Sequence, residues 1–169
     1  MRSDGFDQAK TIELCNGFPP SCREDLKKLV IKEHACERDS ACVGENISVL
    51  NPESIENCQA AATGINRKPS MDCAFVLVSG EVVLSEFKLG TTRPNQIPKM
   101  NLLEKVRQTK CLIEHHKKRV YREAYFIFDE SIKDIARNKV SRLFLAENDS
   151  WIPKNAVVSM REFYSAFFG

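Results

Sequence analysis

Asp72, Glu86 and Lys88 fall where a purely structural pair of strands rarely places ionisable residues. Glu86 and Lys88 are two apart in the run Val82-Val83-Leu84-Ser85-Glu86-Phe87-Lys88, so in a strand both side chains leave one face. Val82 and Leu84 precede them on that face, which starts apolar and ends charged. Asp72 stands at the mouth of the preceding apolar run, residues 73–78. Two adjacent carboxylates repel unless a cation neutralises them. Hard oxygen ligands suit Mg²⁺ or Mn²⁺, with water and substrate phosphate completing the shell. A neighbouring ammonium can orient an attacking water, help deprotonate it, or stabilise charge developing on phosphorus. The implied chemistry is metal-assisted phosphodiester hydrolysis. The bland alternative is an exposed cross-strand ion pair, which is energetically minor.

Whether the three residues meet depends on one turn. If Ser79, Gly80 and Glu81 form it, Val78 pairs with Val82, Asp72 faces Lys88 and Ala74 faces Glu86. A two-residue turn at Ser79-Gly80 would set Asp72 opposite Phe87, on the other face. Around this hairpin the chain alternates helix and strand signals. An amphipathic helix is predicted around residues 23–37, and a second from Asn51-Pro52-Glu53 to Ala62, where proline and acid suit a first turn. Residues 90–98 read as a polar loop. The spacing of Leu102, Val106, Thr109 and Ile113 predicts a helix over 99–118. Residues 123–128 form an unbroken apolar run, as in a strand buried on both faces. Ser131 with Asp134 resembles a cap for a helix through Ile132, Ala136 and Val140. A strand at 155–158 and a helix opened by Ser159 and Glu162 complete the order. The fold class is α/β (α+β), a mixed sheet covered by helices. One domain is expected over 1–169, with 1–44 as a helical extension or cap and 45–169 as its core.

Asp72, followed fourteen positions on by Glu86-Phe87-Lys88 in a hydrophobic strand, resembles the signature of the PD-(D/E)XK nuclease superfamily. The likeness spans roughly residues 45–145, with Met71 rather than Pro before the aspartate. It implies a restriction-endonuclease-like core: helix, three-stranded antiparallel meander, helix, further strand. It also implies that Asp72 and Glu86 bind Mg²⁺ or Mn²⁺ and that Lys88 serves the catalytic water. Such proteins often add an acid from the helix before the meander, for which Glu45, Glu53 and Glu56 all stay open. Glu45 lies in a Gly-Glu pair like that of some relatives, whereas Glu56 sits inside a predicted helix. A polar residue on the helix after the lysine strand would be Gln108. Thr91, Thr92 and Arg93 lie in a loop within reach of phosphate.

The formal charge of +2 hides a strong asymmetry. Residues 1–86 carry 9 Lys/Arg and 14 Asp/Glu, whereas 87–142 carry 14 and 6. The basic stretch includes Lys117, Lys118, Arg119 and Arg122, read either as a helix end or as a grip on a nucleic-acid backbone. DNA is the default polymer and RNA the alternative. A non-catalytic binding or inhibitor module on the same scaffold is the competing reading, and a homodimer or an inhibitor partner stays open. Seven cysteines include no CxxC pair, and Cys36, Cys42 and Cys58 match no common zinc spacing. No apolar run reaches membrane-spanning length and no secretory signal is evident, so a cytoplasmic protein is expected, with delivery into another cell left open.

Overall fold

In a computed structural model, residues 4–145 and 150–169 are described, without the side chain of Lys99. The two apolar runs form the expected hairpin, β3 (Cys73–Val76) and β4 (Val82–Lys88). Its turn lies one residue earlier than Ser79-Gly80-Glu81. Leu77 N–H donates to Glu81 O at 2.9 Å, which leaves Val78, Ser79 and Gly80 as the loop. Gly80 has φ 92°, a left-handed conformation that glycine alone adopts without strain. That requirement sets the register, Val76↔Val82 to Cys73↔Ser85. Every side chain keeps its expected face, but the partners slide by two residues. Asp72 therefore comes beside Glu86 rather than Lys88.

The hairpin sits inside a six-stranded sheet of order β1-β2-β3-β4-β5-β6. The other strands are β1 (Arg23–Asp25), β2 (Ser48–Leu50), β5 (Val120–Phe128) and β6 (Lys154–Val158). The first four pair antiparallel, whereas β5 runs parallel to β4, and β6 to β5. Each parallel step needs a crossover, supplied by α5 (Leu102–His115) and α6 (Lys133–Leu145). Those helices, with α1 (Gln8–Cys15) and α4 (Pro52–Thr63), cover the face of Ala74, Leu84, Ala124 and Phe126. The opposite face, with Phe75, Val83, Phe87 and Ile127, packs on α2 (Leu26–Lys32) and α7 (Met160–Phe167). A short α3 (Glu37–Ala41) follows α2. The class is α/β: seven helices, among the described residues, around an open mixed sheet.

Local chemistry explains the element ends. Asn51 caps α4 by accepting from Ser54 N–H, and α4 stops at Gly64, whose φ is 71°. Ser159 and Glu162 form the expected capping box of α7. Ser131 does not act as read: its backbone and hydroxyl both donate to Asp129, which closes the turn before α6. The predicted helix at 23–37 is two elements, because Arg23–Asp25 joins the sheet edge before α2 begins. Residues of the first 44 are thus woven into the sheet. Phe6 bridges Leu77, and the Thr11 hydroxyl accepts from Val76 N–H and donates to Asp7 O.

Candidate metal centre

Asp72 and Glu86 arrive on the same face because both precede or follow β-residues of one parity, and α4 and α5 roof that face. Asp72 is 6% exposed, and its Oδ2 accepts from Phe87 N–H at 2.8 Å. Glu86 is fully buried. Its Oε1 receives Lys88 Nζ at 2.8 Å and also Lys105 Nζ from α5. Its Oε2 has no hydrogen-bond partner among the described residues. Buried carboxylate oxygens seldom stay unpaired, so this one marks a place for a further cationic or donor group.

Two more carboxylates converge from the helices. Glu33 caps the end of α2 and Glu53 lies in the first turn of α4. Oxygens of Glu33, Glu53 and Asp72 all lie within 4.8 Å of one another. Burial, reinforced by Glu86 and Glu33, pushes the Asp72 carboxyl up to about 8, against the pull of Phe87 N–H. Burial likewise raises Glu33; Lys88 offsets part of this, while Glu86 and Glu53 add to it. Burial alone would lower Lys88, but Glu86 and Asp72 outweigh it and hold it as an ammonium above its usual range. Four carboxylates face three cations, Lys88, Lys105 and the Arg67 guanidinium, 2.7 Å from Glu53. With Asp72 ionised, as a bound cation would favour, the excess is negative; the donors are all hard oxygens, and one buried oxygen is unpaired. This set fits Mg²⁺ or Mn²⁺.

Of the acids left open by sequence, Glu53 joins the cluster. Glu45 does not: it is 72% exposed and pairs with Lys27 at 2.6 Å. Glu56 is buried further along α4 and, like Glu86, is not one of the three grouped carboxylates, but Glu86 bears electrostatically on Asp72 and pairs with Lys88, and Glu56 does neither. Gln108 donates to Glu104, one turn back on α5, while Lys105 makes the contact to Glu86. Arg93 is exposed in the loop after β4, at the carboxylate end of the sheet. Lys117, Lys118, Arg119 and Arg122 are at the other end. Val120 pairs with Val82 and Phe128 with Lys88, which separates that basic run from Lys88 by about 20 Å. Arg119 there pairs with Glu81 at 3.0 Å. The basic stretch is therefore not one surface with the carboxylates, because α5 carries the chain from one end of the sheet to the other. Cys36 groups with Asp39 and Asp129, not with Cys42 and Cys58.

Glu33 and Lys105 were invisible to motif reading. Lys105 did leave a signal, since it flanks the buried stripe of Leu102, Val106 and Thr109. Glu33 left none beyond its place at a helix end. No family model, no curated protein and no solved structure matches the chain.

Proposed function

We propose that this protein is a Mg²⁺- or Mn²⁺-dependent nuclease of PD-(D/E)XK type, acting on DNA in the first instance and RNA in the second. The observation that carries the reading is the pairing of buried Asp72 and Glu86, with Glu86 Oε2 unpaired and Lys88 beside it. Asp72 and Glu86 would hold the ion, and Glu33 and Glu53 would support it directly or through water. A bound ion supplies Lewis-acid polarisation of phosphate and a more acidic water. Lys88, an ammonium beside Glu86, orients the nucleophile and balances charge on the phosphorane-like transition state. Phe87 N–H fixes Asp72, and Lys105 fixes Glu86. A cleft of about 500 Å³, lined by Glu33, His34, Lys88, Gly90 and Thr91, gives access to Lys88. Gly90 lets the chain pass close to His34, since a Cβ there would meet His34 Cβ at 3.0 Å.

The test is cleavage of plasmid DNA, single-stranded DNA and total RNA in Mg²⁺, Mn²⁺ and EDTA. Wild type should cleave with either metal and not in EDTA, and Glu86→Ala and Lys88→Ala should be inactive. Full metal-dependent activity in those variants would overturn the assignment. A second reading, a nuclease-like binding module, draws on the two ammonium groups already countering Glu86. Wild type without a Mn²⁺-dependent thermal shift selects it.

A further inference from the structure

A groove of about 910 Å³ opens where β5 and β6 begin and α5 and α6 end, remote from the carboxylates. Its lining carries Lys110, Arg119, Arg122 and Lys154 against one carboxylate, Glu114, among the described residues. The chain's one tryptophan, Trp151, stands in it. Lys110 Nζ lies 4.2 Å from the indole centroid, and the indole N–H donates to Glu114 Oε2 at 3.3 Å. Glu114 also pairs with Lys110, so the groove's carboxylate is spent on holding its own cation and ring in place. Arg122 and Lys154 line the same groove from neighbouring strands, and Arg119 lies just before β5.

An oriented aromatic face among cations matches the repeating chemistry of a nucleic-acid strand: a planar base with phosphates on either side. In a duplex the base faces are covered by their neighbours, so only unpaired nucleotides offer one to an indole. We infer that the groove around Trp151 binds single-stranded nucleic acid, stacking a base on the indole while Arg122 and Lys154 hold adjacent phosphates. Given the nuclease reading, on which its role as a substrate subsite rests, a strand held here has about 20 Å to span, around the helices that cover the sheet, to reach Lys88.

The test is fluorescence anisotropy of labelled thymidine and uridine dodecamers in EDTA, which keeps cleavage out of the measurement. Wild type should bind the single strands at least tenfold more tightly than the same sequence as a duplex. Trp151→Ala should weaken binding about tenfold, and Trp151→Phe should restore most of it. Lys154→Ala and Arg122→Ala, both at exposed positions, should each lower the salt slope by about 0.7. Equal binding of duplex and single strand, unchanged affinity in Trp151→Ala, or equally effective competition by inorganic polyphosphate would each overturn the inference. A thermal melt of each variant separates lost binding from lost folding. Stronger thymidine than uridine binding assigns DNA, and the reverse assigns RNA. Strand binding in EDTA without cleavage in Mg²⁺ or Mn²⁺ would sink the nuclease reading and leave the groove standing.

Discussion

Asp72 is held in opposing directions by its surroundings. In the metal-free fold it keeps its proton to about pH 8, whereas the unfolded chain releases it near pH 4. Between those values the unfolded state binds fewer protons, so stability falls as pH rises through the window. The penalty is at most about 6 kcal/mol for this group, and less once water enters. Asp72→Asn should therefore melt several degrees above wild type at pH 8 in EDTA, with the gap closing toward pH 4. The same variant should lose the Mn²⁺-dependent shift. A variant that melts with or below wild type at pH 8 would contradict the buried, unstable charge. Lys105→Met tests the partner carboxylate. Removing one of two cations from buried Glu86 should cost about 1–3 kcal/mol without metal and enlarge the stabilisation gained from Mn²⁺. Thermal melts with and without the ion measure both. At this scale the sequence disclosed Asp72, Glu86 and Lys88 because their types clash with an apolar strand at period two. Glu33 reaches the site only through tertiary packing of a helix end, which no local spacing encodes, and Lys105 showed only as a neighbour of the apolar stripe of α5.

At the scale of elements, α5 does more than bridge β4 and β5. Its Lys105 grips Glu86, and its buried Thr109 hydroxyl accepts from Met71 N–H at 2.9 Å, just before Asp72. Thr109 read in sequence as one more residue of an apolar stripe, because a buried hydroxyl and a methyl are alike to periodicity. Thr109→Val keeps the shape but orphans a buried donor, which should cost about 1–3 kcal/mol. Cleavage should fall further than in Thr109→Ser, which retains the acceptor; equal activity in the two would show that α5 does not position Asp72. The hairpin makes a parallel case. Its strands were legible, but the turn position hinged on which residue takes positive φ, and that choice moved Asp72 from Lys88 to Glu86. Gly80→Ala should destabilise by about 1 kcal/mol, measured by urea titration. Strands β1 and β2 escaped notice because three residues are too few to display an alternation.

Across the whole molecule, the site draws on both layers of helices and on the centre of the sheet. Glu33 comes from α2 on one face, and Glu53 and Lys105 from α4 and α5 on the other. No single segment contains it, so ion binding should stabilise the entire fold and not one hairpin. At one hundred times the dissociation constant the gain is about 2.7 kcal/mol, or roughly 5–10 °C at this chain length. Far-ultraviolet circular dichroism and tyrosine absorbance should report the same Mn²⁺-shifted midpoint; separate midpoints would show a local site on an independent fold. The mixed layered sheet could be read from element order, since parallel neighbours demand a crossover helix. The basic stretch could not be placed, because composition records how many charges a segment holds and not which end of a strand they occupy.

Phe87 links the carboxylate site to the packing of α7. Its N–H holds Asp72 on one side of the sheet, while its ring meets Phe163 edge-on, 5.9 Å between centroids, on the other. The pleat makes it a lever, through which the packing of α7 would bear on the spacing of Asp72 and Glu86. Mg²⁺ tolerates little departure from octahedral geometry, whereas larger ions accept more. Phe87→Leu should accordingly keep Mn²⁺-supported cleavage while losing most of that supported by Mg²⁺. Ion selectivity would then be written in the hydrophobic layer behind the strand, in a residue that never meets the ion.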